Sequence, residues 1–195
     1  YGIKTHFGSN LIAVDGEARL ATFKAGNTVE TRSFDILHVT PPQKPAEVVA
    51  NSFLSDKSGY VDVDQQTLQH RLFSNVFAMG DIGNMPNAKT AAAVRKQAPV
   101  VAGNVLAVLA KKPLNAAYDG YGSCPLTVEN GKILLAEFGY GGTLLPSFPK
   151  FVIDGTKPSR LAWHLKKDLL PAIYWDAMLK GREWLAAPAE LKKPA

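Results

Sequence analysis

The chain is predicted to be an α/β protein, α+β within its own 195 residues. Three observations predict this. Short apolar runs separated by Gly, Pro and Asn turns recur in the first forty residues and again after Tyr118. One apolar run, Val76-Phe77-Ala78-Met79, leads through Gly80-Asp81 and a loop into an Ala-rich helix. The residues from Pro158 onward space Leu, Ile, Tyr and Trp along one side of helices. With 46% hydrophobic and 20% charged residues the composition is globular, neither disordered nor collagenous.

In chain order, Leu11–Val14, Asp15-Gly16 and Ala18–Phe23 read as a hairpin, and Gly26-Asn27 as a second turn. Phe34–Thr40 has the short apolar run of a buried strand, stopped by Pro41-Pro42 because neither proline donates to a ladder. Residues 46–54 form a weak helical stretch, and Tyr60–Asp64 alternates as an edge strand would. After the Val76–Met79 strand a helix starts near Lys89, with Pro99 expected to kink it and Lys111-Lys112-Pro113 to close it at the negative end of its dipole. Gly131–Phe138 is the clearest late strand, with Gly139, Gly141 and Gly142 in its exit turn. Two amphipathic helices follow Pro158, broken at Pro171, with Leu161, Leu165, Leu169, Ile173, Tyr174, Trp175, Met178 and Leu179 on the apolar side. Pro188–Ala195 is expected to fray.

Several classes are excluded. No uninterrupted apolar stretch of about 18 residues exists, so no helical membrane span is predicted and membrane contact is expected to be superficial. Tyr1–His6 lacks an initiator Met, a basic n-region and an apolar h-region, and is expected to be the middle of a longer chain. The net charge of +5 is concentrated at the end: residues 157–195 hold eight Lys and Arg against four Asp and Glu. Without a broad basic face or interleaved aromatics, nucleic acid is not an expected partner. A solvated helix face and an anionic membrane surface both suit the basic tail. The single Cys124 excludes an internal disulfide and a CxxC motif, and His6, His38, His70 and His164 lack ligand spacing, so no metal is expected.

The chemistry-bearing stretch is Val76–Val94. A flavin dinucleotide needs a carboxylate for its sugar hydroxyls, a close backbone approach, and positive potential where the reduced ring becomes negative. Gly80 permits the approach, Asp81 supplies the carboxylate, and Lys89 and Thr90 stand at the start of a helix whose dipole supplies the potential. A plain Gly-Asp turn is the alternative for the same residues.

Val76–Asp81 with Lys89–Val94 resembles the second flavin-binding motif of the two-dinucleotide-domain flavoproteins. Leu37–Pro42, Gly59–Asp64, Tyr118–Leu126 (Tyr-Asp-Gly-Tyr-Gly-Ser-Cys-Pro-Leu), and Leu170–Trp175 with Met178–Gly181 look like the mitochondrial-type branch of sulfide:quinone oxidoreductases. The similarity runs from about residue 35 to about residue 185. It implies a carboxy-terminal portion of a Rossmann-like FAD/NAD(P)-binding fold plus a carboxy-terminal domain of short strands and amphipathic helices. Residues 1–45 correspond to a remnant of the second nucleotide-binding-like domain, 46–115 to the end of the FAD-binding domain, and 116–195 to the carboxy-terminal domain.

The resemblance implies FAD as cofactor and Cys124 as one of two redox cysteines, with its partner upstream of this chain. Sulfide would attack their bridge to give a persulfide, and electrons would pass through the flavin to quinone while the sulfur leaves to an acceptor. A small buried hydrophobe is the alternative for a lone cysteine. Pro42, with Pro41, either lines the cofactor or merely ends a strand. Residues 158–185, with Arg160, Lys166 and Lys167 near Trp163, Trp175 and Trp184, either dock on a bacterial cytoplasmic or mitochondrial inner membrane or pack on protein.

The chain has no GxGxxG turn and no second cysteine, so by itself it is expected to be inactive and to hold FAD weakly or not at all. Surfaces left uncovered would favour a homo-oligomer. Pro99 and Gly122 depart from the family pattern, the first putting the helix length in doubt. Competing readings are another flavin disulfide oxidoreductase or a type II NADH dehydrogenase, with Cys124 incidental, and a non-catalytic membrane-associated binding module on the same scaffold.

Overall fold

The computed structural model describes residues 2–182 and 186–191. The expectations for Trp184 and for the last four residues fall outside these. Two compact units are present, Tyr1–Gln43 and Lys44–Ala195.

In the first unit β1 (Asn10–Asp15), β2 (Leu20–Ala25) and β3 (Thr28–Ser33) form an antiparallel sheet in chain order. Gly26-Asn27 joins β2 to β3, and Gly26 has the positive φ of 58° that a two-residue hairpin turn requires. The first hairpin turns later than the sequence suggests. Asp15 accepts from the Ala18 N–H, Arg19 completes the turn at φ 54°, and β2 begins only at Leu20. The strand expected over Phe34–Thr40 is absent, and Ile36 is 91% exposed. An apolar run becomes a buried strand only when neighbours pair with its backbone and cover its faces, and among the described residues no strand does so.

The second unit begins with α1 (Glu47–Ala50), a single turn where a longer stretch was expected. Val61 and Val63 point inward and Asp62 and Asp64 outward, as the alternation predicts. They pair only through isolated bridges, Val61 with Ser55 and Gly83, and Val63 with His70. Val76–Met79 likewise lacks a ladder: Phe77 bridges Gln69, and the Ala78 N–H donates to the Leu68 carbonyl at 3.1 Å. These short links satisfy the backbone that a parallel sheet would otherwise have to satisfy.

Helix α2 (Ala91–Leu109) is capped by Thr90, whose hydroxyl accepts from the Ala93 N–H at 3.2 Å. It continues through Pro99 for 19 residues. Its end is made by backbone geometry rather than charge. The Lys112 N–H donates to the Ala107 carbonyl and the Lys111 N–H to the Val108 carbonyl, with Lys111 at φ 54°. This is the position where glycine is usual. Lys111→Gly is therefore expected to stabilise the unit by about 0.5 to 1 kcal/mol, read as a higher urea midpoint.

Val61, Val63, Leu68, Ala78, Met85, Val100, Ala116 and Tyr118 form the first core. Asn104 is fully buried within this region, and all its bonds are made. Its amide donates to the carbonyls of Thr67 (3.0 Å) and Ala116 (2.9 Å), and its oxygen accepts from the Ala116 N–H (3.1 Å). β4 (Ala116–Ala117) pairs with β7 (Ala189–Glu190), and the Leu191 N–H donates to the Asn115 carbonyl. Residues 189–191 are thus held by a ladder rather than frayed.

β5 (Gly122–Glu129) and β6 (Lys132–Phe138) form a hairpin, and the inward side of β6 builds a second core of Ile133, Leu135, Ile153 and Ala162. α3 (Arg160–His164) is continuous with a π-helical turn, Leu165–Leu169, and with α4 (Leu170–Asp176). No break occurs at Pro171. The widened turn, in which the Leu170 N–H reaches back to Leu165, accommodates a residue that lacks an N–H and crowds the carbonyl four residues earlier. The predicted apolar side is buried only in part: Leu165, Ile173 and Met178 are half-buried, as expected. Ala162, Trp163, Leu165, Ile173 and Ala177 turn inward, while Leu161, Leu169, Tyr174, Trp175 and Leu179 are exposed.

Candidate functional site

The Gly80-Asp81 turn is a single 3-10 turn, Gly80–Ile82. Gly80 adopts φ 70°, and a Cβ there would meet Val94 Cγ2 at 3.3 Å, so both conformation and space call for glycine. Its N–H donates to Gln97 Oε1 at 2.6 Å and is therefore not free for a phosphate. Asp81 is exposed. Lys89 turns back: its ammonium donates to the Gly83 carbonyl at 2.7 Å and lies 4.5 Å from the centre of the Tyr60 ring. Burial holds this ammonium below its ordinary pKa, against the opposing charge of Asp81. Thr90 is spent on the helix cap. Asp81 is thus left open to solvent, whereas Lys89 and Thr90 shape the loop. The first turn of α2 carries no acidic residue, so a long helix presents uncompensated positive potential beside an exposed carboxylate. This donor set fits the ring edge and hydroxyl chain of a flavin. Pro42 lies in the first unit, exposed, at the end of an extended segment.

Cys124 is exposed on β5, opposite Ala136, so it is not a buried packing residue. Its neighbour Ser123 is buried opposite Glu137, as strand alternation requires. Gly122, where β5 begins, passes close to the loop: a Cβ there would meet Phe138 at 3.2 Å and the Ala88 carbonyl at 3.7 Å. On its other side β5 is held by Lys166, whose ammonium donates to the Pro125 carbonyl (3.0 Å) and the Thr127 hydroxyl (2.9 Å). Lys166 and the half-buried Trp163 therefore face the protein. The structure brings Gly80, Asp81, Lys89 and Thr90 together and runs the Cys124 strand past the same loop.

Sequence reasoning missed the polar groups between them. Glu137 is only 6% exposed and accepts from the Tyr121 hydroxyl (2.6 Å), the Ser147 hydroxyl (2.5 Å) and the Ser147 N–H (3.0 Å). Its signal was its parity with Ile133 and Leu135 along β6. The Tyr118 hydroxyl donates to the Tyr121 carbonyl and accepts from the Asn87 amide, each at 2.5 Å. Burial pushes both phenols up to about 12, so both remain donors at neutral pH. Tyr121 and Ser147 also line an open cleft of about 360 Å³ with Asp119, Leu144, Leu145 and Pro146.

Among the described residues no group of three or more His, Cys, Asp or Glu side chains is placed to hold a metal. His70 is engaged by backbone: Nδ1 accepts from the Leu72 and Phe73 N–H groups, which leaves Nε2–H to donate to the Leu54 carbonyl. No described helix is long and apolar enough to cross a membrane.

No family model matches the chain. Its sequence relatives are oxidoreductases by name. By sequence the chain groups with the mitochondrial sulfide:quinone oxidoreductases, and it spans about 40% of the length of the curated relatives it matches. It is 43% identical to the enzyme of Dictyostelium discoideum over 182 residues, 93% of this chain and 40% of that one. The Schizosaccharomyces pombe enzyme is 42% identical over 186 residues, again 93% and 40%. The mouse enzyme is 36% identical over 195 residues, 98% of this chain and 42% of that one. A chain in the cryo-EM structure of the Tetrahymena thermophila mitochondrial ATP synthase, an F1Fo composite tetramer model, superposes with a TM-score of 0.73 at 28% identity. That match covers 88% of this chain and 42% of the other.

Proposed function

We propose that the intact protein oxidises sulfide and delivers two electrons through FAD to quinone, with Cys124 as one of its two redox cysteines. The observation that carries this reading is the exposed Cys124, on a strand passing the Gly80–Thr90 loop, in a chain 36–43% identical to sulfide:quinone oxidoreductases. Residues 1–45, 46–115 and 116–195 then correspond to the nucleotide-binding-like remnant, the end of a Rossmann-like FAD domain and the carboxy-terminal domain.

Asp81 accepts from cofactor hydroxyls, Gly80 keeps the approach open, and the positive end of α2 faces negative charge on the ring. Lys89 and Thr90 fix the loop. FAD, when bound, supplies a two-electron carrier between sulfur and quinone. Cys124 forms a bridge with a second cysteine outside this chain. Hydrosulfide attack breaks that bridge, leaving a persulfide on one sulfur and a thiolate on the other. A nucleophilic acceptor then removes the sulfane sulfur and leaves two cysteine thiolates, whose return to the bridge releases the two electrons that the flavin would carry to quinone. Leu161, Leu169, Tyr174, Trp175 and Leu179, with Arg160 and Lys167, form an exposed amphipathic face suited to a mitochondrial membrane surface.

The match to a chain of an ATP synthase assembly favours a second reading, a non-catalytic subunit that keeps the scaffold within a membrane complex. One assay separates the two. Intact protein supplied with FAD is expected to reduce a soluble quinone in a sulfide-dependent manner and not with NADH. NADH-dependent reduction would assign a type II dehydrogenase, and absence of both flavin binding and turnover would assign the structural subunit.

A further inference from the structure

A path of polar contacts links the Gly80 turn to the Cys124 strand across the second unit. The Gly80 N–H donates to Gln97 Oε1, and the Gln97 side chain lies at the Tyr118 hydroxyl. That hydroxyl accepts from Asn87, in the loop that follows the turn, and donates to the carbonyl of Tyr121, the residue immediately before β5. The Tyr121 hydroxyl in turn donates to Glu137, which faces Ser123 across the hairpin, one residue from Cys124. The path joins three elements that share no ladder: the turn and its loop, helix α2, and the β5–β6 hairpin.

The geometry of the hairpin explains why such a tie has work to do. β5 and β6 form a two-stranded sheet, and a slip of one residue would exchange Ser123 and Cys124 between the buried and exposed faces. Glu137 opposes that slip because its buried carboxylate would lose the Tyr121 hydroxyl, the donor on the β5 side. Tyr118 fixes where the hairpin starts relative to the Asn87 loop. Tyr118 is itself 2% exposed, and its hydroxyl meets Asn87, Gln97 and the Tyr121 carbonyl.

We infer that Tyr118 is a positioning residue, whose hydroxyl holds the start of β5 against the Asn87 loop and so sets the spacing between Cys124 and the Gly80–Thr90 site. This rests on the assignment of those two sites proposed above. Tyr140 provides a matched control. It belongs to the same cluster, packs edge to face on Tyr118 at 5.8 Å between ring centres, and has a hydroxyl that donates to the Gln65 carbonyl at 2.7 Å. That hydroxyl stands off the path.

The test uses the intact flavin-loaded protein, reduced so that its cysteines are free. Long-wavelength absorbance between a thiolate and a flavin requires near van der Waals contact and serves as a gauge of distance. Tyr118→Phe is expected to lower that absorbance at least about fivefold with flavin content unchanged, and Tyr140→Phe to leave it within about a quarter of wild type. A second readout needs no flavin: the alkylation rate of Cys124, followed by mass spectrometry of its peptide, changes at least about threefold in Tyr118→Phe and not in Tyr140→Phe. Equal losses in the two variants, or an unchanged Tyr118→Phe, overturn the inference. If the wild-type absorbance persists in Cys124→Ser, or no flavin binds, the functional assignment fails and the alkylation comparison alone decides whether Tyr118 positions the strand.

Discussion

Cys124→Ser in the intact protein is expected to lower sulfide-dependent quinone reduction by at least about 1,000-fold while leaving flavin content and thermal stability close to wild type. The size follows from chemistry. Serine cannot form the sulfur–sulfur bond that sulfide must break, and its hydroxyl is scarcely ionised at neutral pH. The structural consequence is small because Cys124 is exposed and its backbone pairing to Ala136 does not depend on sulfur. Steady-state rates with a soluble quinone, alongside flavin absorbance of the purified variant, measure both parts. Residual turnover within tenfold of wild type would remove Cys124 from the reaction and leave its exposure on β5 without a catalytic meaning.

Asn104→Leu is expected to be the most damaging substitution for folding, at about 3 to 5 kcal/mol, although Leu has the branched shape and side-chain heavy-atom count of Asn. Its three bonds join α2 to the backbone at Thr67 and Ala116, and the site is sealed from solvent. Leucine would strand two carbonyls and one N–H, each costing about 1 to 3 kcal/mol, and would recover part of that through apolar burial. Urea unfolding at constant pH reads the loss as a lower midpoint at an unchanged slope. A shift below about 1 kcal/mol for Leu would mean that water reaches the three groups.

Much of the local structure was legible. Gly26-Asn27 identified a tight turn because the left-handed conformation it needs suits those residues. Lys132–Phe138 was readable from its period of two and its flanking glycines. The start of α2 was marked by Thr90 before a run of alanines. Pairing partners were not legible. Phe34–Thr40 and Val76–Met79 have the composition of buried strands, and whether such runs become strands depends on neighbours distant in sequence. The faces of the last helices were legible only in part: Leu165, Ile173 and Met178 turn inward, but Leu161, Leu169, Tyr174, Trp175 and Leu179 do not, because the π-helical turn at Leu165–Leu169 rotates α4 relative to α3 and no periodicity count contains that rotation.

The candidate site divides the same way. Gly80, Asp81, Lys89, Thr90 and Cys124 were visible as residue types in a local order that suits a redox cofactor and a nucleophilic sulfur. Their orientations were not: Lys89 turns onto Gly83 and Tyr60, and the side chains of Glu137, Tyr118 and Gln97 bond to residues up to 31 positions away. By itself the sequence determined what is written in neighbouring residues, namely turns, caps, strand parity and the chemical groups at the site. Only the tertiary structure decided which side of each element is covered and which polar groups meet, because burial and hydrogen bonding depend on chain segments that local sequence does not describe.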